Sequence, residues 1–246
     1  MNISFIFTTG AYIAPVAATL SIMLRTKFYI QEQNIFAGLG NKVSAFCADS
    51  IFTSFPDTEN ISQKKIDFSG PVLNLDVEKS GKNMNSNLTI GFQGGSQGSK
   101  EINDLAIKFA KDPTYANIEI VHIVGNSHKV TFIDRANYVS YGFIDNMDNY
   151  YNSIDIQVSS AGGGTLDAAF VNIPQLLVPY KHGTTSQHQV LNAQFLESKG
   201  AAKIITSYEE LKTMLNSYLD EDLSKLEFNI KAGNDHIAKV LTNEIN

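Results

Sequence analysis

Cysteine is nearly absent. Cys47 stands alone among 246 residues, so no internal disulfide can form. A lone thiol of this kind reads as a small core residue, and nothing in the chain calls for an oxidising compartment, so a cytoplasmic setting is expected. Positive charge is also in deficit. Nineteen Lys and Arg stand against twenty-five Asp and Glu, a net charge of -6. Nucleic-acid binders carry a basic face, and this balance argues against such a partner. No charged side chain occurs before Arg25, whereas a secretory leader opens with positive charge ahead of its apolar core. The opening apolar run is broken by Thr8, Thr9, Gly10 and Pro15, which argues against a membrane-spanning helix. The chain has no repeat of solenoid period and no low-complexity tract. With 43% hydrophobic and 18% charged residues, it has the composition of a soluble globular protein long enough for one large domain or two modest ones.

What is present is alternation. Ile3 to Phe7, Phe28 to Ile30 and Ser50 to Phe52 read as strands, with helices around Val16 to Leu24 and Lys42 to Ala48. A chain that opens directly on a buried strand is expected to follow something that normally precedes it. Residues 76–87 are polar and carry Gly81 and several Asn, the pattern of a linker. Beyond them the strands are expected at Leu88 to Phe92, Ile118 to Val124, Tyr138 to Tyr141, Ile154 to Val158 and Gln175 to Val178. Helices are expected over Glu101 to Lys111, from Asp148, from Thr165 and over Gln187 to Lys199. A final helix is expected between Glu227 and Asn246. Such alternation predicts an α/β fold with a parallel, doubly wound sheet whose strand-to-helix loops gather on one edge.

Two strand–glycine–helix junctions stand out, Gly94-Gly95-Ser96-Gln97-Gly98 and Ala161-Gly162-Gly163-Gly164-Thr165. Glycine lets backbone N–H groups approach a ligand, and a following helix adds free N–H groups at the same place. Either junction alone would read as a tight turn; two on one sheet edge favour an anion site. Neither is a P-loop and neither is the dinucleotide fingerprint, so the phosphates expected are those of a mononucleotide or a nucleotide sugar. Lys181 to Gln189 is a polar loop carrying two of the five histidines, His182 and His188, which reads equally as a functional loop or as a solvated one. Neither histidine has an acidic or cysteine partner at a ligand spacing, so no metal is expected. Asp220-Glu221-Asp222 formally fits a metal–nucleotide motif but reads as a solvated charged turn. Asn87-Leu88-Thr89 formally fits a glycosylation acceptor, which a buried strand start makes irrelevant.

The run Gln31-Glu32-Gln33-Asn34, then Ala37-Gly38-Leu39 and Asn41-Lys42, resembles the Glu-Gln-Asn…Gly-Leu-x-Asn-Lys segment of the MurG family. The likeness continues in order through Gly10-Ala11-Tyr12, Phe55-Pro56, Gly70-Pro71-Val72, Gly94 to Gly98 with Ile102-Asn103, Phe143 to Met147, Val178-Pro179-Tyr180, His188-Gln189 and Asn192-Ala193. The resemblance implies a GT-B type fold of two Rossmann-like parallel-sheet domains, the first one incomplete. Its expected parts are residues 1–75 as a remnant of an acceptor domain, 76–226 as the UDP-sugar donor domain, and 227–246 as a helix returning to the first. The family transfers N-acetylglucosamine from UDP-GlcNAc to a lipid-linked muramyl-pentapeptide in peptidoglycan synthesis, without cofactor or metal, inverting the anomeric carbon. Attachment to the inner face of the cell membrane is implied as well.

By this resemblance Ile144, beside Phe143, meets the uracil, Met147 is among the substrate-binding residues, and Gly95 and Ser96 meet ribose and diphosphate. The N–H groups of Gly162, Gly163, Gly164 and Thr165 support the diphosphate as it leaves, Asp167 (or Ala168 in another register) meets the ribose, and His188 and Gln189 hold the sugar. Asn34 belongs to the acceptor side. The family's first glycine-rich loop, linked with the catalytic base, is expected ahead of Met1, so no catalytic residue is assigned. Leu73 and Ser159 or Ser160 stand where the family has arginines. The alternatives left open are a UDP-sugar-binding half that works with a separately encoded N-terminal domain, and an inactive truncated homologue. A UDP-sugar epimerase would want an acid/base pair of carboxylates, and the sequence offers no convincing one.

Overall fold

The computed structural model describes residues 3–73, 75, 87–129, 133–180 and 186–245. The polar stretch read as a linker lies, but for Asn87, outside the described residues, as do positions 181–185 of the histidine-bearing loop. The chain divides into two compact units, one of residues Met1–Leu73 with Ile230–Asn246, the other of Asn74–Asn229.

The first unit contains β1 (Phe5–Thr8), α1 (Ala14–Leu24), β2 (Lys27–Glu32), α2 (Leu39–Ser44), β3 (Ser50–Thr53) and β4 (Ile66–Phe68). Its strands are all parallel in the order β1-β2-β3-β4. Ala17 and Ala18 bring α1 close to Phe28, Ile30 and Ile51 on one face of the sheet. Large side chains there would hold the helix away from the sheet. The helix stops at Arg25, which takes a left-handed conformation with φ 52°.

The second unit contains β5 (Thr89–Gln93), α3 (Lys100–Ala110), β6 (Glu119–Ile123), β7 (Tyr138–Tyr141), α4 (Met147–Ser153), β8 (Ile156–Ser159), α5 (Gly164–Phe170), β9 (Gln175–Leu177), α6 (Ser186–Ser198), β10 (Ala202–Ile204) and α7 (Tyr208–Leu219). Its six strands are parallel in the order β10-β9-β8-β5-β6-β7. Ile90, Phe92, Val158 and Leu176 of the sheet pack with Ile102, Ala106 and Phe109 of α3 and Leu211 and Leu215 of α7, all essentially inaccessible to solvent. Helices cover the strands, so the central strands β5, β8 and β9 are buried along their whole length.

The strand order has one consequence for function. From β5 the chain winds outward through β6 and β7, then returns to β8 on the other side of β5. The order therefore reverses between β5 and β8. The loops leaving these neighbours diverge, and the crevice between them is where open α/β sheets take ligands.

The chain ends in α8 (Asn234–Asn243), which belongs to the first unit. Ile237, Val240 and Leu241 pack on Phe5, Phe7, Tyr29 and Phe52, the sheet face opposite α1. The Asn234 side chain closes a pair of hydrogen bonds with the Leu73 backbone, at 3.0 and 2.9 Å. The helix is shorter than the expected 227–246. Asn229 is left-handed with φ 54°, and the Gly233 N–H is donated to the Pro71 carbonyl at 2.7 Å, so the backbone enters the helix only after Gly233. Among the described residues no helix is long and apolar enough to cross a membrane.

Candidate functional site

Both glycine-rich junctions sit at the switch point, one leaving β5 and the other leaving its neighbour β8. The first is held rigidly from below. Gly98 has φ +83° and Gly125, in the loop after β6, has φ +91°; a Cβ on either would run into the other's backbone or the Val124 carbonyl. Gly94 leaves no room for a Cβ against Ser99. Those glycines serve close backbone packing. The Asn126 N–H donates to the Ser96 carbonyl at 2.9 Å and the Ser127 N–H to that of Gln97 at 3.2 Å, tying this loop to its neighbour. Gly95 and Ser96 are left on the outside, exposed. Among the described residues, neither the N–H nor the hydroxyl of Ser96 has a hydrogen-bond partner.

The second junction is built differently. Gly164 is needed by the fold, since a Cβ there would meet Gln93 Nε2 at 2.8 Å and Tyr151 Oη at 3.2 Å. Gly162 is not: its φ lies outside the left-handed range and, among the described residues, nothing stands within 4 Å of where its Cβ would be. Within the turn the Gly162 N–H donates to the Ser160 carbonyl at 2.9 Å, and the Thr165 and Leu166 N–H groups donate to the carbonyls of Gly162 and Gly163 at 3.2 Å each. Of the four N–H groups singled out in the sequence, two are thus engaged internally. Those of Gly163 and Gly164 have no partner among the described residues.

The loop after β7 adds an apolar wall. Phe143 is about half exposed, while Ile144 and Met147 pack against a buried cluster of Tyr150 and Tyr151 of α4, Ile154 just after it and Ala168 of α5. The same cluster supports α5, so the β7 loop and the β8 turn are brought together. Asp167 lies in the first turn of α5, and its carboxyl is pushed up to about 6, mainly by burial and further by Asp148. Ala168 is fully buried, so of the two registers only Asp167 offers a side chain to a ligand. Gln189 of α6 accepts the Tyr180 N–H at 2.9 Å and fixes the loop after β9, and Asn192 donates to the Ala161 carbonyl at 3.3 Å. His188 is half-buried on the same helix, and His182 lies outside the described residues.

Asn34 belongs to the first unit. Its backbone and side-chain N–H groups both donate to Glu32 Oε1, at 2.9 and 3.2 Å, while Glu32 Oε2 takes the Gly38 N–H and the Asn41 amide. A buried carboxylate with four donors organises this whole loop. Leu73, standing where the family has an arginine, is buried.

Sequence reading missed the residues beneath the second turn. Gln93, Gln157 and Gln175 form a buried amide ladder across β5, β8 and β9, and the Tyr151 hydroxyl donates to the Gly164 carbonyl at 3.0 Å. The available signal was Gln157 and Gln175 inside expected strands of a doubly wound sheet, with Gln93 one residue past a third, where a polar side chain needs a partner.

The sequence profile of the glycosyltransferase family 28 C-terminal domain matches residues 89–243. The chain is 30% identical over 212 residues to the UDP-N-acetylglucosamine--N-acetylmuramyl-(pentapeptide) pyrophosphoryl-undecaprenol N-acetylglucosamine transferase 3 of Bacillus cereus, covering 81% of this chain and 59% of that protein. The transferase of the same name from Thermosipho africanus is also 30% identical, over 213 residues, covering 83% of this chain and 59% of that protein. The chain thus spans about three fifths of the length of these curated relatives. Among solved structures, Acinetobacter baumannii MurG superposes with a TM-score of 0.72 at 22% identity, covering 98% of this chain and 74% of that one. A Methanocaldococcus jannaschii UDP-GlcNAc 2-epimerase, solved with UDP-GlcNAc and UDP, superposes with a TM-score of 0.67 at 10% identity, covering 98% and 76%. At these identities the superpositions speak for the fold, and they bear out the expectation of a GT-B type α/β architecture. With the profile covering well over half of its length, the chain belongs to glycosyltransferase family 28.

Proposed function

We propose that this chain supplies the donor side of an inverting hexosyltransferase that moves GlcNAc from UDP-GlcNAc to a lipid-linked muramyl-pentapeptide in peptidoglycan synthesis. The observation that carries the reading is the pair of glycine-rich turns on adjacent strands at the switch point. In this reading Ile144, Phe143 and Met147 take the uracil, Asp167 accepts from the ribose hydroxyls, and Gly95 and Ser96 face ribose and diphosphate. The N–H groups of Gly163 and Gly164 face the diphosphate, and His188 and Gln189 face the sugar. As the acceptor hydroxyl attacks the anomeric carbon, the bond to the phosphate oxygen breaks and its electron pair stays on UDP. N–H dipoles already in place stabilise that charge without reorganising. The proton of the acceptor hydroxyl goes to a base outside the residues assigned here. Asn34 and the loop around Glu32 lie on the acceptor side. Calorimetric titration with UDP-GlcNAc, and with UDP-glucose for comparison, tests the reading. Saturable binding that prefers UDP-GlcNAc is expected; a folded chain that binds neither would end the donor-site assignment.

The same reading includes attachment to the inner face of the cell membrane. What supports it is an apolar surface on the neighbouring helices α1 and α2 and the residues flanking them, where Ile13, Val16, Leu20, Leu39, Val43 and Phe46 are all exposed. Arg25 and Lys42 add positive charge beside it. An apolar face flanked by cations suits an anionic lipid surface. Replacing Leu39 and Phe46 together by serine is expected to lower binding to anionic phospholipid vesicles by about tenfold or more. UDP-GlcNAc affinity should not move. Vesicle co-sedimentation equal to that of the parent protein would remove this face from consideration.

A further inference from the structure

The buried polar groups under the β8–α5 turn form two arms whose hydrogen-bond polarity can be assigned. A backbone carbonyl only accepts, so the Gln175 amide must present its NH2 to the Thr165 carbonyl, at 2.9 Å. Gln175 Oε1 then accepts from Gln157 Nε2 at 3.0 Å, and Gln157 Oε1 accepts from Gln93 Nε2 at 3.2 Å. Gln157 also donates to the Ser159 hydroxyl at 3.1 Å. Separately, the Tyr151 hydroxyl donates to the Gly164 carbonyl at 3.0 Å. A glutamine arm that starts at Gln93 and an independent Tyr151 hydroxyl therefore end, both as donors, on the consecutive carbonyls of Thr165 and Gly164. Gln157 and Gln175 are fully buried and Gln93 nearly so. Three buried amides are costly unless satisfied, and a simple β-sheet core would not require them.

The turn carries each arm onward. The peptide group that holds the Gly164 carbonyl also holds the Thr165 N–H, which donates to the Gly162 carbonyl; that carbonyl shares its peptide group with the Gly163 N–H. The peptide group of the Thr165 carbonyl likewise holds the Leu166 N–H, which donates to the Gly163 carbonyl, and that peptide group ends in the Gly164 N–H. The Tyr151 arm thus terminates on the Gly163 N–H and the glutamine arm on the Gly164 N–H. Hydrogen bonds in series polarise one another, so a donor at the end of such a chain is a stronger one.

We propose that Gln93, Gln157, Gln175 and Tyr151 are positioning residues that set and polarise the Gly163 and Gly164 N–H groups of this turn for the donor's diphosphate. The inference rests on the reading of the turn as part of the donor site. It assigns work to residues that touch no substrate, and it makes their effect specific to the phosphates rather than to the nucleoside.

The test is a titration of UDP and of uridine into the parent protein and into Tyr151→Phe and Gln157→Met. The first variant removes only a hydroxyl, and the second breaks the glutamine arm in the middle with little change of volume. UDP affinity is expected to fall about three- to tenfold in each, with uridine affinity unchanged. Amide proton shifts of the free protein give a second readout. Tyr151→Phe should move the Gly163 amide upfield and leave Gly164, whereas Gln157→Met should do the reverse. If the parent binds UDP and the variants lose UDP and uridine in parallel, or keep both, the positioning role is wrong while the donor site stands. If the parent binds no UDP, the donor-site reading itself fails and this inference falls with it. Should Gln157→Met not fold, Tyr151→Phe decides alone, because it leaves the packing of the ring intact.

Discussion

Gly162→Leu is expected to lower UDP-GlcNAc affinity by about a hundredfold, roughly 2.7 kcal/mol, while leaving the melting temperature within a degree or two of the parent's. The fold places no demand on this glycine: its φ is not left-handed and its missing Cβ would stand in open space. Gly164, two residues on, is pressed against Gln93 and Tyr151, and Gly98 in the companion junction is left-handed and pressed against the Val124 carbonyl. A glycine that the described residues do not require, placed beside two N–H groups with no partner among those residues, fits a ligand that comes close to the backbone. A leucine side chain would occupy the volume of that ligand. Gly162→Ala should show the same trend at about tenfold. Gly98→Ala is the contrasting control, because it forces a side chain into a left-handed position with no room and should destabilise the second unit by about 3 kcal/mol. Calorimetry for affinity and thermal unfolding for stability separate the two kinds of glycine. Undiminished binding of UDP-GlcNAc by Gly162→Leu would move the donor away from this turn.

The glycine-rich junctions were legible in the sequence because each follows a short apolar strand and precedes a helical pattern, a local signature. Their adjacency was not. Nothing in the residues around Gln93 or Ser159 says that β5 pairs with β8 rather than with β7; that follows from the winding of the whole sheet. The expected helix at Lys42 to Ala48 forms three residues earlier, at Leu39–Ser44, because the extended Gly38 (ψ 154°) lets the helix begin directly after it without a side-chain cap. Strands β4 and β10 passed unread, each three residues long and set at a sheet edge, where short sequence carries little period. The amide ladder was invisible for a different reason. Gln157 in Ile156-Gln157-Val158-Ser159 has the alternation of a half-exposed strand, and only the helices packed on both faces turn it into a buried group that needs partners. The family resemblance located Asp167 without revealing its protonation, since that depends on the burial of the α5 turn and on Asp148 beside it.

Asp167→Asn should make the protein more stable and bind its donor worse, and the two effects should have different pH dependence. Burial and the nearby Asp148 carboxyl raise the Asp167 carboxyl to about 6, against about 3.9 for an aspartate in the unfolded chain. Between these values the folded state holds a proton that the unfolded state has lost, so stability falls as pH rises from about 4 to 6 and stays lowered above. Two units correspond to at most ~3 kcal/mol, and the partial exposure of the group reduces this to about 1 kcal/mol. The asparagine variant removes that penalty, so it should unfold at higher denaturant than the parent at pH 7.5 and at the same concentration below pH 4. Binding runs the other way. Only the ionised carboxylate accepts from both ribose hydroxyls, and those donors repay the burial of its charge. UDP-GlcNAc affinity of the parent should therefore rise about tenfold as pH increases from 5 to 7, with no contribution from the ligand, whose doubly esterified diphosphate does not titrate there. In Asp167→Asn the affinity should stay low and flat across that range. A variant that gains stability yet keeps the parent's affinity and pH profile would show that the carboxylate is strained for some purpose other than holding the ribose.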